Sequence, residues 1–180
     1  MKQLLKIHTF ILICLTSMGI AHAAPVEPLD QDARTALNAL YDSSPAAKAL
    51  GEKAKGVLVF PNVRKAAIIL GGQYGEGAMF ANGDIVGHYG VNGVLAGLEL
   101  GAQSFAYAMF FMSDAALQDL RSSHGFEIGA DPNIVVVDAG AAKEITTSTT
   151  RADVYAYVFN QKGLMGGIAL QGLTITSLER

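Results

Sequence analysis

The chain has 180 residues, 51% of them hydrophobic, with 13 Lys and Arg against 16 Asp and Glu. A formal charge of −3 gives no overall basic field of the kind that draws a protein to nucleic acid. The single cysteine excludes a disulfide framework and any Cys-rich metal knuckle.

The first residues read as targeting. Lys2 and Lys6 precede an apolar run, Ile7–Ile20, and Ala21-His22-Ala23 supplies small residues around a cleavage point. This pattern predicts a secretory signal peptide over 1–23, cut after Ala23. The apolar run is short for a membrane span, which needs about 20 residues. Cys14 lies inside that run behind Ile13, so it does not fit a lipidation site. Cleavage would remove Cys14, Lys2 and Lys6 and leave 24–180 as one mildly acidic domain, periplasmic or secreted.

Ala24–Leu29 carries Pro25 and Pro28 and is expected to be extended. Asp30 or Asp32 can cap a helix running to about Tyr41, with Ala33, Leu37, Leu40 and Tyr41 on one face. Ser44-Pro45 marks a second helix start, with Ser as the cap and Pro in the first turn. That helix is predicted to reach Lys55, stop at Gly56 and carry Gly51 at a cost of about 1 kcal/mol.

Strands are predicted next: Gly56–Phe60, then a basic turn at Pro61–Lys65, then Ala66–Phe80 with a bend at its glycines. Asn82-Gly83 is a hairpin turn. Asp84–Tyr89, Val94–Gln103 and the apolar Phe105–Met112 follow. Ser113-Asp114 opens a short helix over Ala115–Ser123, with Gly125 as its stop. Asn133–Ala139 is an apolar strand, and Lys143–Thr150 is a polar strand or loop. Arg151–Phe159 alternates, and Gln161-Lys162-Gly163 is expected to turn the chain into Leu164–Leu173. Many strands and about three short helices, without βαβ alternation, predict an α+β fold. Its predominantly antiparallel sheet would curl into a sandwich or barrel-like body. An outer-membrane barrel is disfavoured, because helical segments take up a large share and Trp is absent.

The glycine tract Gly71, Gly72, Gly75, Gly77 could suggest a phosphate loop. A hairpin follows it where a helix N-terminus would be needed, and no Gly-Lys-Ser/Thr is present. Positions 71, 75 and 77 instead share one strand face, where glycine lets another backbone pack closely. Glu76 and Glu99 sit within such strands; an inward orientation would bury a carboxylate, an outward one would solvate it. His88 and His124 lie in no zinc spacing, and no metal or other cofactor is expected. Ser104 lacks the glycines of a nucleophile elbow, so His88 and Asp84 offer no convincing triad with it. The chain is read as non-enzymatic. Lys48, Lys53 and Lys55 on the second helix and Arg64 and Lys65 on the turn would form a cationic patch if helix and turn adjoin.

The stretch AKGVLVFPNVRKAAIILGGQYGEGAMF resembles the signature of the SYLF domain, also called the Ysc-type actin-binding or lipid-binding domain. The likeness continues in GLELGAQSFAYAMFFMSDAALQDL, GFEIGAD and VYAYVFNQKGLMGGIALQG, and spans about 33–174. The resemblance implies two ligand classes, anionic phospholipid or a protein partner such as actin. An envelope protein meets neither phosphoinositide nor actin in its own compartment. The first helix, with Asp30, Asp32 and Asp42 against Arg34, also lacks the basic face of a membrane-surface helix. The expected ligand is therefore an anionic phospholipid surface or an apolar ligand, and the alternative is an unknown protein partner. Oligomeric state is left open.

Overall fold

The computed structural model describes residues 26–122, 126–128, 134–138 and 152–179. The predicted signal peptide, His124, Gly125, Lys143–Thr150 and Arg151 lie outside them, as do the side chains of Glu99 and of 166–172. The elements run α1 (Val26–Ser43), α2 (Pro45–Gly51), β1 (Gly56–Ala81), β2 (Asp84–Phe111), α3 (Asp114–Ser122), β3 (Phe126–Ile128), β4 (Ile134–Asp138) and β5 (Val154–Leu178). The fold is α+β and sheet-rich, as predicted. The sheet order is β1-β2-β5-β3, all antiparallel, with β4 added parallel to β5. Among the described residues the sheet does not close into a barrel, since β1 pairs with β2 alone.

Three very long strands make the body. β1 and β2 form one hairpin from Gly56↔Phe111 to Ala81↔Asp84, and β2 pairs with β5 from His88↔Leu178 to Phe111↔Val154. The turn is Asn82-Gly83, and both residues have positive φ (53° and 88°), which favours the Asn-Gly pair found there. The expected turns at Pro61–Lys65 and Gln161–Gly163 do not break the strands. Pro61 and Asn62 fall in a register shift between Phe60 and Val63 on the edge strand, where a proline's missing N–H costs no ladder bond. Asn160 and Gly163 take up positive φ within β5, which continues through them.

β1 folds back on itself. A Cβ on Gly71 would strike Ala66 and Ala67; on Gly75 it would lie 2.9 Å from Val63 Cγ2; on Gly77 it would strike the Val59 carbonyl and the Phe60 ring. The close-approach reading of 71, 75 and 77 therefore holds, while Gly72 is exposed and lies against nothing nearer than 3.5 Å. The reversal sits at Ile68–Leu70, with Ile69 at φ 71°. Its counterpart in β2 is the stretch from Gly97 to Gly101, with Gly101 at φ 138°.

Two apolar clusters fix this folded ribbon. In one, Ala33, Leu37 and Leu40 of α1 and Ala47 and Leu50 of α2 cover Val57, Val59, Phe110 and Tyr157. Phe110 and Tyr157 meet edge to face at 5.6 Å. In the other, Ala116, Leu117 and Leu120 of α3 join Leu58, Phe60, Met79, Met109 and Ile175. α1 starts earlier than predicted, so Asp30 and Asp32 lie inside it and do not cap it. Asp30 Oδ1 instead meets His88 Nε2 at 2.7 Å. Arg34 donates to the Gly83 carbonyl at 3.1 Å and stacks over Phe80, fastening α1 to the hairpin turn. Ser44 caps α2 as predicted, its Oγ accepting from the Ala47 N–H at 3.2 Å. α2 stops at Gly51, not Lys55, and the Tyr41 ring occupies the space a side chain at Gly51 would need.

Candidate ligand-binding surface

Register brings distant residues into rows. Arg64 pairs with Ser104, and Ser104 pairs with Lys162. Directly opposed residues of antiparallel strands share a face. Arg64, Ser104 and Lys162 thus form one row across three strands, about 10 Å wide at two strand spacings. Arg64 and Lys162 are exposed, and Ser104 is half-buried between them. An open hollow of about 700 Å³ lies here, walled by Arg64, Lys65, Ser104, Lys162 and Tyr74, with no carboxylate in its lining.

The next rows toward the bend are apolar. Ala66, Ala102 and Leu164 are in register, followed by Ile68, Leu100 and Gly166. Ile68, Ile69, Leu70, Leu100 and Leu164 are between 65% and 89% exposed. Scattered apolar residues on a surface need no explanation, but a contiguous group rimmed by polar residues marks a contact surface. This group caps the reversal of the ribbon. The basic row lies two to four residues behind it, roughly 7–14 Å along the strands.

A second space of about 380 Å³ lies on the inner side of the folded ribbon. Val63, Val91, Phe105, Tyr107 and Leu173 give it an apolar lining, and Gln73, Gln103, Gln161 and Lys65 are its polar groups. Gln73 is 6% exposed, and its Oε1 has no hydrogen-bond partner among the described residues. A buried amide oxygen without a partner costs about 1–3 kcal/mol. Burial raises the Tyr107 phenol well above its ordinary range, so it stays a neutral donor.

The predicted patch does not assemble as one unit. Lys48 is on α2, while Lys53 and Lys55 follow its end, so the shared helical face of Lys48 and Lys55 does not exist. Lys55 hydrogen-bonds through its N–H to the Phe111 carbonyl at the start of β1. Arg64 lies nine positions further along an extended strand, on the order of 25–30 Å away. Arg64 and Lys65 are brought together with Lys162, which sequence reasoning had treated as a turn residue. The signal available for it was Lys162 followed by a leucine, Leu164, in a strand with no local reason to bury it. Glu76 is half-buried and accepts a hydrogen bond from the Tyr74 hydroxyl; it alternates with the glycines and so faces away from the close approach. Glu99 is placed by register opposite Gly167. His88 is engaged with Asp30 on α1, not with Ser104.

The family model Ysc84, described as Las17-binding protein actin regulator, matches residues 92–179. Residues 92–179 are thus similar to the SYLF domain of the Ysc84 family. The matched stretch begins within β2 and runs through α3, β3, β4 and all of β5. It includes Ser104, Lys162, Leu100 and Leu164, whereas Arg64, Lys65 and the glycine tract precede it on β1. No curated protein matches the chain. That similarity points to a SYLF-type actin-binding or lipid-binding domain.

Proposed function

We propose that this SYLF domain acts by binding, without catalysis, and that its ligand is an anionic phospholipid surface in the cell envelope. The observation that carries the reading is the ladder of rows across β1, β2 and β5: a basic row, then exposed apolar rows at the bend. Arg64 and Lys162 would hold headgroup phosphates, with the Ser104 hydroxyl between them and Lys65 beside. Ile68–Leu70, Leu100 and Leu164 would enter the headgroup–acyl boundary. Each cation near an anionic membrane contributes about 1 kcal/mol, and that part is screened by salt. A signal peptide over 1–23 would deliver the domain to the compartment where such surfaces are found.

α1 has a different place in this scheme from a membrane-surface helix. Leu29, Ala33, Ala36, Leu37 and Leu40 are buried, so its apolar stripe is already used against the sheet. Its one arginine, Arg34, is spent on the hairpin turn. Lys48, Lys53 and Lys55 stand near the helices and are left out of the contact.

The test is co-sedimentation of the purified protein with neutral vesicles and with vesicles containing phosphatidylserine, at low and high salt. Binding should require the anionic lipid and fall with salt. Arg64→Ala with Lys162→Ala should weaken it roughly 30-fold, from about 2 kcal/mol lost. Lys48→Ala with Lys53→Ala should leave it unchanged. Equal binding by both double variants refutes the basic row. The family's description as an actin regulator favours a second reading, in which the same apolar bend seats a protein. In that case Ile68→Ser and Leu164→Ser would abolish a crosslink to a protein, and vesicle charge would have no effect.

A further inference from the structure

The space inside the folded ribbon shares Lys65, Gln73 and Gln103 with the outer hollow, but Arg64 and Lys162 are outside its lining and most of its other walls are apolar. We propose that it is a second binding site, which takes a single uncharged amphiphile: an apolar chain whose head, an alcohol or primary amide, donates a hydrogen bond. Three observations support this. The first is size. At about 30 Å³ per small group, 380 Å³ holds on the order of a dozen non-hydrogen atoms, within the range of small-molecule pockets.

The second is the lining. Val63, Phe105 and Leu173 give an apolar wall, while Gln73, Gln103 and Gln161 supply amides from three different strands. Amides are neutral and recognise a head by hydrogen bonding, not by charge. Lys65, the one cation in the lining, also borders the outer hollow and already has a partner of its own. A charged head therefore gains less here than a neutral one.

The third is the unmet acceptor. Gln73 lies in the wall of this space, is 6% exposed, and its Oε1 has no partner among the described residues. A buried acceptor calls for a donor. Gly71, Gly75 and Gly77, which share its face of β1, pack against the first half of the same strand and hold that backbone fixed. Oε1 is out of contact with solvent as it stands, so a ligand reaches it by rotation of the amide about its side-chain torsions, on a backbone that stays in place.

The experiment is titration of the purified protein with octanol, heptyl methyl ether and octanoate, followed by calorimetry and by the side-chain amide resonances of the glutamines. Octanol and the ether have equal numbers of non-hydrogen atoms, and only the alcohol donates. Octanol should bind about tenfold more tightly than the ether, the worth of one hydrogen bond, and should shift the Gln73 amide. Gln73→Leu should bind alcohol and ether equally, whereas Arg64→Ala with Lys162→Ala should bind octanol like the parent. If Gln73→Leu fails to fold, the alcohol–ether comparison on the parent protein decides alone. Equal binding of alcohol and ether by the parent overturns the proposal, as does tighter binding of octanoate. Binding of none of the three, with the cavity holding water only, also overturns it.

Discussion

Replacing Gly77 by alanine tests the reversal of β1 directly. A methyl group there would meet the Val59 carbonyl oxygen and two Phe60 ring carbons, at 2.6 and 2.9 Å. Neither neighbour can swing aside: Val59 and Phe60 are fully buried, and one of the contacts is backbone. Overpacking in a closed core costs about 1–3 kcal/mol, and a clash with fixed backbone falls at or above the upper end. A loss of about 3 kcal/mol is expected, or a Tm lowered by roughly 6–12 °C for a domain of this size. The control is Gly72→Ala. Gly72 is exposed, and its nearest neighbour would be the Gly93 carbonyl at 3.5 Å, an ordinary contact. There the loss of unfolded-state freedom should raise stability by about 0.4–1 kcal/mol. Urea unfolding of both variants, compared at equal m-value, measures the difference. If Gly77→Ala falls within about 0.5 kcal/mol of Gly72→Ala, the two halves of β1 do not pack as described, and the apolar bend loses its basis.

Two further outcomes follow from the helices and the buried phenols. Ser44→Ala should cost about 1 kcal/mol, because the Ala47 N–H loses its acceptor at a buried cap; urea unfolding measures it, and no change would show the cap contributes nothing. Burial raises Tyr107 and Tyr157 above the ordinary phenol value of 10.0. The unfolded chain ionises these phenols from pH 10 upward while the folded protein keeps them protonated, so the stability they contribute is intact below pH 10 and is lost above it. The slope is about 1.4 kcal/mol per pH unit for each phenol. Tyr107→Phe and Tyr157→Phe should each flatten the decline of the urea midpoint between about pH 10 and 11, and an unchanged slope in both would refute the assignment. Tyr157→Phe should also cost nothing near pH 7, since the hydroxyl it removes is buried and has no partner among the described residues.

Local chemistry marked the parts of this fold that depend on a few adjacent residues. Ser44-Pro45 specified a cap, Asn82-Gly83 a tight hairpin, and Gly71, Gly75 and Gly77 a face able to meet backbone. Each was readable because φ preference, a missing N–H or a missing Cβ acts within a residue or two. The basic patch was read as Lys48, Lys53, Lys55, Arg64 and Lys65 because those residues are near one another in sequence. Strand geometry separates the lysines of the helical end from Arg64 and brings Lys162 beside it from about a hundred residues away. Among the described residues, strands predicted as separate run on as single long ones for a related reason. A bulge at Pro61-Asn62 and positive φ at Asn160 and Gly163 have the same local signature as turns; only cross-strand pairing shows that the ladder continues past them. Sequence alone thus determined the α+β class, the Ser44 cap, the hairpin and the close-packing glycines. Tertiary structure decided which cations share a face, that apolar residues cap the bend, and that Gln73 is buried without a partner among the described residues. Those properties depend on register between strands, and register is set by the summed packing of the two clusters and by no single stretch of chain.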